Sequence, residues 1–191
     1  MKTSKIISVN IARPATLPWQ GREVPTGIYK EPRSGRVMAR THGLDGDMQA
    51  NLEVHGGPRK AVYVYPAAHY EFWRAELGPI PLPWGVFGEN LTAEGLSEST
   101  VHLGDRFQAG DAEFEVTKPR SPSFKLGLKF EALGIANMGM IKRFWKSGCS
   151  GFYLAVVKEG QIEAGDEMIL LHADPRRLSI HKVFTEQADL E

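Results

Sequence analysis

Apolar residues in this chain fall mostly into short runs instead of helical stripes. Residues 5–11, 35–40, 61–65, 100–103, 106–109, 113–118, 152–158 and 167–172 are β-branched, aromatic or alternating runs bounded by turn formers, the pattern of strands. Gly46-Asp47, Gly104-Asp105, Gly110-Asp111 and Gly165-Asp166 punctuate them. Glycine there permits the positive φ of a tight connection, so the pairs read as turns and not as metal loops.

Helical character is expected in two places. Over 66–77 a proline opens the segment, Tyr70, Phe72, Trp73 and Leu77 cover one broad face, and Gly78-Pro79 closes it. Over 136–146, Met140, Ile141, Phe144 and Trp145 alternate with Lys142, Arg143 and Lys146, and the cationic end suits the helix dipole before Ser147-Gly148. Residues 14–23 and 79–85 contain prolines and read as irregular loops. Many short strands without regular strand-helix alternation predict a mainly β fold, a closed or nearly closed barrel decorated by two or more helices.

Composition narrows the setting. The 191 residues, 42% hydrophobic, suit one domain with a sizeable core, spanning about 5–172 with a short tail over 173–191. Lys plus Arg and Asp plus Glu balance at 23 each, so no net field draws the chain to nucleic acid or to an anionic membrane, and any basic site must be local. No run approaches the length of a membrane span, and residues 1–9 lack the apolar core and cleavage site of a signal peptide. With Cys149 alone, neither an intrachain disulfide nor a multi-cysteine metal centre can form, and a reducing cytoplasm is the expected compartment.

Three separated segments carry the candidate chemistry. In His55-Gly56-Gly57-Pro58-Arg59-Lys60, adjacent glycines let backbone amides approach a bound group, and the imidazole and cations supply donors of the kind that hold an oxyanion. The same residues also suit an ordinary tight turn with Arg59 and Lys60 solvated. In Phe87-Gly88-Glu89-Asn90-Leu91, the polar pair orients a ligand or satisfies the backbone at a strand entrance. In Pro119-Arg120-Ser121-Pro122-Ser123-Phe124-Lys125-Leu126, prolines stiffen a loop that fixes the directions of Arg120 and Ser123, although Ser123 is equally suited to cap a helical turn. Ser123 as an activated nucleophile is the weakest reading, because no local motif brings a base and an oxyanion hole. Cys149, between a helix and an apolar strand, reads as an inert thiol, and the six histidines show no metal-ligand spacing. No Gly-x-Gly-x-x-Gly fingerprint is present.

These segments, together with Gly85-Val86, Ala61-Val62-Tyr63 and Gly104-Asp105, resemble the MOSC domain family, named for the C-terminal domain of molybdenum-cofactor sulfurase, and within it the YiiM-like subgroup. The likeness runs from about residue 5 to residue 172. It implies a β-barrel that binds the molybdenum cofactor, a phosphorylated pterin, or handles sulfur destined for metal centres. His55, Gly56, Gly57, Arg59, Lys60, Arg120 and Lys125 would contact the anion, and Glu89 and Asn90 would order the pocket. Family members of this kind reduce N-hydroxylated compounds at molybdenum, with a metal-ligating cysteine in the loop after the Pro-Arg pair. Here that position is Ser123, a harder ligand and a far weaker acid than a thiol. The resemblance therefore implies either a molybdenum-dependent reductase supplied with electrons by a separate protein, or a non-enzymatic carrier or adaptor, for the cofactor or in metal-sulfur assembly, that has lost catalysis with the cysteine. Pyridoxal phosphate would enter only through a separate sulfur-transfer partner.

Overall fold

The computed structural model describes residues 3–48 and 57–189. In chain order the elements are β1 (Lys5–Ala12), β2 (Ala15–Trp19), β3 (Arg22–Thr26), β4 (Lys30–Pro32), β5 (Val37–Arg40), β6 (Gly43–Leu44), a 3-10 turn at Pro58–Lys60, β7 (Val62–Pro66) and α1 (His69–Leu77). There follow β8 (Leu91–Glu94), β9 (Arg106–Ala109), β10 (Ala112–Pro119), α2 (Phe124–Glu131), α3 (Asn137–Ser147), β11 (Phe152–Lys158), β12 (Gly160–Ile162), β13 (Met168–His172) and α4 (Ile180–Ala188).

Eight strands form the main sheet in the order β13-β9-β10-β11-β7-β8-β1-β4, antiparallel except for the β7–β8 pair, where Val64 lies opposite Leu91. A three-stranded sheet, β12-β5-β6, and the β2–β3 hairpin complete a mixed, sheet-dominated fold with four α-helices. The closed or nearly closed barrel is not confirmed. Among the described residues no sheet closes as a continuous ladder, and β1 meets β13 at an isolated Lys5–Glu167 bridge flanked by the Ile6 N to Asp166 O and Met168 N to Ser4 O bonds, 2.9 and 2.8 Å.

The central strand β7 shows how sequence becomes layers. Alternation sends Val62 and Val64 into one apolar cluster with Phe107, Phe114 and Phe152, while Tyr63 and Tyr65 enter a second cluster with Trp73, Phe87, Phe130 and Phe144. Burial on both faces is why the run carries no polar alternation. The second cluster lies under α1, α2, α3 and α4, and Tyr65 stands at its middle, 4.7 Å from Phe87 and 6.5 Å from Phe144 between ring centroids.

Several sequence expectations are corrected. Residues 14–23 form most of a hairpin instead of a loop: Gln20 and Gly21, both at positive φ, make the tight connection, and prolines 18 and 25 are accommodated in a two-stranded ribbon. Residues 100–103 are a turn with one bridge, His102–Ser179, and not a strand. Within the expected tail lies α4, capped by Ser179 Oγ accepting from Lys182 N at 3.2 Å and packed through buried Ile180 and Phe184.

Candidate functional site

The loop leaving β10, the entrance to β8, the 3-10 turn before β7 and the chain between β3 and β4 converge on one cleft. Of the residues singled out from sequence, Lys60, Asn90, Arg120, Ser123 and Lys125 line it. Glu89 and Arg59 do not. His55 and Gly56 lie outside the described residues, and Gly57, at φ 85°, opens the 3-10 turn that carries Lys60.

Arg120 dominates the electrostatics. It directly follows β10, its backbone N–H reaching Gly151 O at 3.4 Å, and the side chain is drawn beneath the surface, 6% exposed. The guanidinium carbon sits 5.0 Å from the centroid of Tyr63 and 5.6 Å from that of Phe144. No described carboxylate pairs with it, and buried Nη1 has no hydrogen-bond partner among the described residues. An arginine cannot shed its charge to escape this situation, and a buried donor left unmade costs about 1–3 kcal/mol. The ring faces offset part of that cost; an anion in the cleft would remove the remainder.

The surroundings suit such an anion. Ser123 occupies the N-cap position of α2 with extended backbone and makes no side-chain capping bond, and it lines the cleft together with Lys125 of the first turn. Lys125 reaches across to Pro25 O at 2.8 Å, and partial burial pulls its pKa down. Burial, with repulsion from Lys118, does the same at Lys60.

The opposite wall is a buried ion pair that the sequence did not reveal. Lys30 Nζ lies 2.6 and 2.7 Å from the two Asp47 oxygens. Asp47 also accepts from Ala12 N at 2.7 Å and from Asn90 Nδ2 at 2.8 Å. Asn90 in turn accepts from Tyr63 N at 3.1 Å, tying the wall to β7. Asp47 stood out in the sequence only as half of a Gly-Asp turn, and nothing distinguishes Lys30 from any surface lysine; Tyr63 and Tyr153, which also line the cleft, looked like strand residues alone.

Glu89 points away from the cleft, into the second core. Its Oε1 accepts from Tyr70 Oη, from Gly85 N at 2.8 Å and from Thr92 Oγ1 at 2.9 Å, while Oε2 has no partner among the described residues. Burial raises its pKa. Nearby Lys129, donating to Ile28 O and Gly85 O at 3.0 and 3.3 Å, is pulled down to about 8 by burial, with Glu89 opposing. Arg59 is exposed, and its carbonyl accepts from Thr117 Oγ1 at 2.6 Å.

Residues 51–169 match the model of the MOSC domain, more than half of the chain. The chain belongs to the MOSC domain family. It is 41% identical over 175 residues to YflK of Bacillus subtilis, covering 92% of this chain and 76% of that protein. It is 38% identical to YiiM of Escherichia coli over 73% of this chain and 61% of that protein, and 36% identical to a protein named Reductase from Gibberella moniliformis, of which it spans 28%. Among solved structures, YiiM from Geobacillus stearothermophilus superposes with a TM-score of 0.79 at 33% identity, over 97% of this chain and 84% of that one. Arg120, Ser123 and Lys125 lie inside the matched region, whereas Lys30 and Asp47 precede it.

Proposed function

We propose that the cleft binds a phosphate-bearing pterin of the molybdenum-cofactor type. The observation that carries this reading is the buried Arg120 guanidinium with an unsatisfied Nη1 on the cleft wall. Lys60, Lys125 and the amide end of α2 would hold the remaining anionic oxygens, and Tyr63 and Tyr153 would give the ligand aromatic surface. Asn90, fixed by Asp47 and by the Tyr63 amide, offers a rigid polar edge for orientation. Residues of this kind fit the anionic part of such a cofactor. At the position facing a metal they provide the Ser123 hydroxyl, a hard oxygen donor, where the family resemblance leads one to expect a soft thiolate.

When bound, the cofactor would supply two-electron reduction of an N-hydroxylated base, with electrons from a separate donor protein. The chain's own residues would bind, orient and shield it. The MOSC match and the relative named Reductase support that chemistry. A carrier that holds the cofactor without turning substrate over is the second reading, favoured by Ser123.

The experiment is to purify wild-type protein and Ser123→Cys from molybdate-supplied cells and to measure molybdenum, pterin and reduction of 6-hydroxylaminopurine with a supplied electron donor. Pterin in both proteins, with molybdenum retention and turnover rising in Ser123→Cys, is expected. Stoichiometric molybdenum and robust turnover in wild type would defeat the carrier reading, and absence of pterin from both would defeat the pocket assignment.

A further inference from the structure

Between β1 and β4 the chain leaves the main sheet as the β2–β3 hairpin, whose strands pair only with each other. Both of its roots are fixed: Ala12 N donates to Asp47 Oδ1 at 2.7 Å, and Ile28 O accepts from Lys129 Nζ at 3.0 Å. What lies between them is lightly held. Of the strand residues only Leu17 and Thr26 are buried, and Trp19 at the tip is 38% exposed. Elements with so little buried contact lie at the low end of local stability, and a two-stranded ribbon by itself is marginal in water.

The hairpin nevertheless borders the candidate cleft. Thr26, its last residue, lines that cleft with Gly27 and Ile28, alongside Ser123 and Lys125 from the start of α2. Two contacts tie the hairpin to α2, and both fall on the residues directly after Ser123. The Trp19 and Phe124 rings lie 4.6 Å apart between centroids, tilted by 31°, and Lys125 Nζ donates to Pro25 O at 2.8 Å. With these contacts made, the cavity measures about 90 Å³. That accommodates an anionic head group, whereas pockets that enclose a whole drug-sized ligand run to roughly 300–1,000 Å³.

We propose that the β2–β3 hairpin is a lid on this cleft, latched to α2 by the Trp19–Phe124 and Lys125–Pro25 contacts and displaced when a ligand larger than a small anion is bound. The inference rests on the pocket assignment above and adds a size threshold to it. A ring-bearing phosphate must break the latch, so its apparent affinity is lowered by the rarity of the open state; an inorganic anion that fits the closed cavity escapes that reduction. Lys125 can serve the anion in either state, because an ammonium has three donors and Pro25 O takes one. Trp19 does not line the cleft, and its contribution to the latch can therefore be removed without altering the lining.

Calorimetry with two probes, pyrophosphate and 6-hydroxymethylpterin phosphate, tests the lid in wild type and in Trp19→Ala. Losing the aromatic contact destabilises only the closed state, so Trp19→Ala should bind the pterin phosphate about 2- to 13-fold more tightly, the range an aromatic pair supplies, and bind pyrophosphate as wild type does. Hydrogen exchange gives a second reading that needs no variant: in wild type the pterin phosphate should speed exchange over residues 15–26, and pyrophosphate should not. Pterin phosphate bound with equal or weaker affinity by Trp19→Ala, or bound to wild type with the hairpin amides as protected as before, would overturn the lid while leaving the pocket standing. Failure of both probes to bind wild type would instead remove the pocket assignment, and the lid with it.

Discussion

Replacing Arg120 by Met should separate ligand binding from stability. Methionine keeps most of the side-chain volume between Tyr63 and Phe144 and removes the charge and the unsatisfied Nη1. In the ligand-free protein two effects nearly cancel: without the guanidinium over the two rings the fold gives up about 1–2 kcal/mol of cation–π attraction, and relief of a buried, unpaired donor returns about 1–3 kcal/mol. The free variant should therefore be as stable as wild type or slightly more so. Toward an anion the effects do not cancel, because a charge-assisted hydrogen bond worth about 1.5–3 kcal/mol disappears with nothing in return, an affinity drop of about 10- to 150-fold. Thermal unfolding with increasing pyrophosphate reads both quantities at once, since ligand at about 100 times its Kd adds roughly 2.7 kcal/mol to the folded state. At that concentration wild type should gain the full roughly 2.7 kcal/mol and Arg120→Met only about 0.3–1.4 kcal/mol, from equal starting points. A folded variant that keeps the full ligand-induced shift would assign Arg120 to structure, and a large loss of stability without ligand would mean that its buried charge is satisfied in some other way.

Two further perturbations address the frame of the cleft. Asp47→Ala would strand buried Lys30 and should cost about 3–5 kcal/mol in urea unfolding, much of it recovered in Lys30→Met/Asp47→Leu; a loss under about 1 kcal/mol would show that Lys30 reaches water. Lys129 titrates at about 8 in the folded chain against 10.5 for the ordinary group. A depressed folded pKa gives stability that is complete above 10.5 and is lost as pH falls through 8, so the difference between wild type and Lys129→Met should grow by about 3 kcal/mol from pH 7 to 10.5, and a flat difference would refute the shift.

Much of the fold was legible because strand runs and turn glycines are local signals. The runs at 5–11, 106–109, 113–118, 152–158 and 167–172 all became strands, β1, β9, β10, β11 and β13, within a residue or two. What failed depends on partners distant in sequence. Prolines in 14–23 argued against strands, yet the hairpin's prolines need no second neighbour to pair with. α2, only eight residues with Gly127 inside it, has too little periodicity to announce a helix; its stability comes from Leu126 and Phe130 entering the second core. At the site, Arg120, Ser123 and Lys125 were visible because prolines and cations cluster in one short segment. Lys30 and Asp47 were not, since their pairing spans 17 residues and becomes chemistry only when both are buried.

The balanced charge of the chain and its cationic cleft are reconciled by how buried charges are compensated. Lys30 is neutralised by Asp47, and Lys129 sits close enough to Glu89 for that carboxylate to raise its pKa against the burial that lowers it. Each of those cations has a nearby anion, and each anion is held by backbone or hydroxyl donors: Asp47 by Ala12 N, Glu89 by Gly85 N and Thr92 Oγ1. Arg120 is treated differently. It is buried as deeply, it lowers the pKa of Lys129 through its own field, and no carboxylate among the described residues answers it. A positive charge in a low-dielectric wall is poorly screened by salt and acts strongly over the few ångströms of a cleft. Exposed acidic residues elsewhere on the surface bring the total to zero without weakening that field, so local compensation decides what this neutral protein attracts.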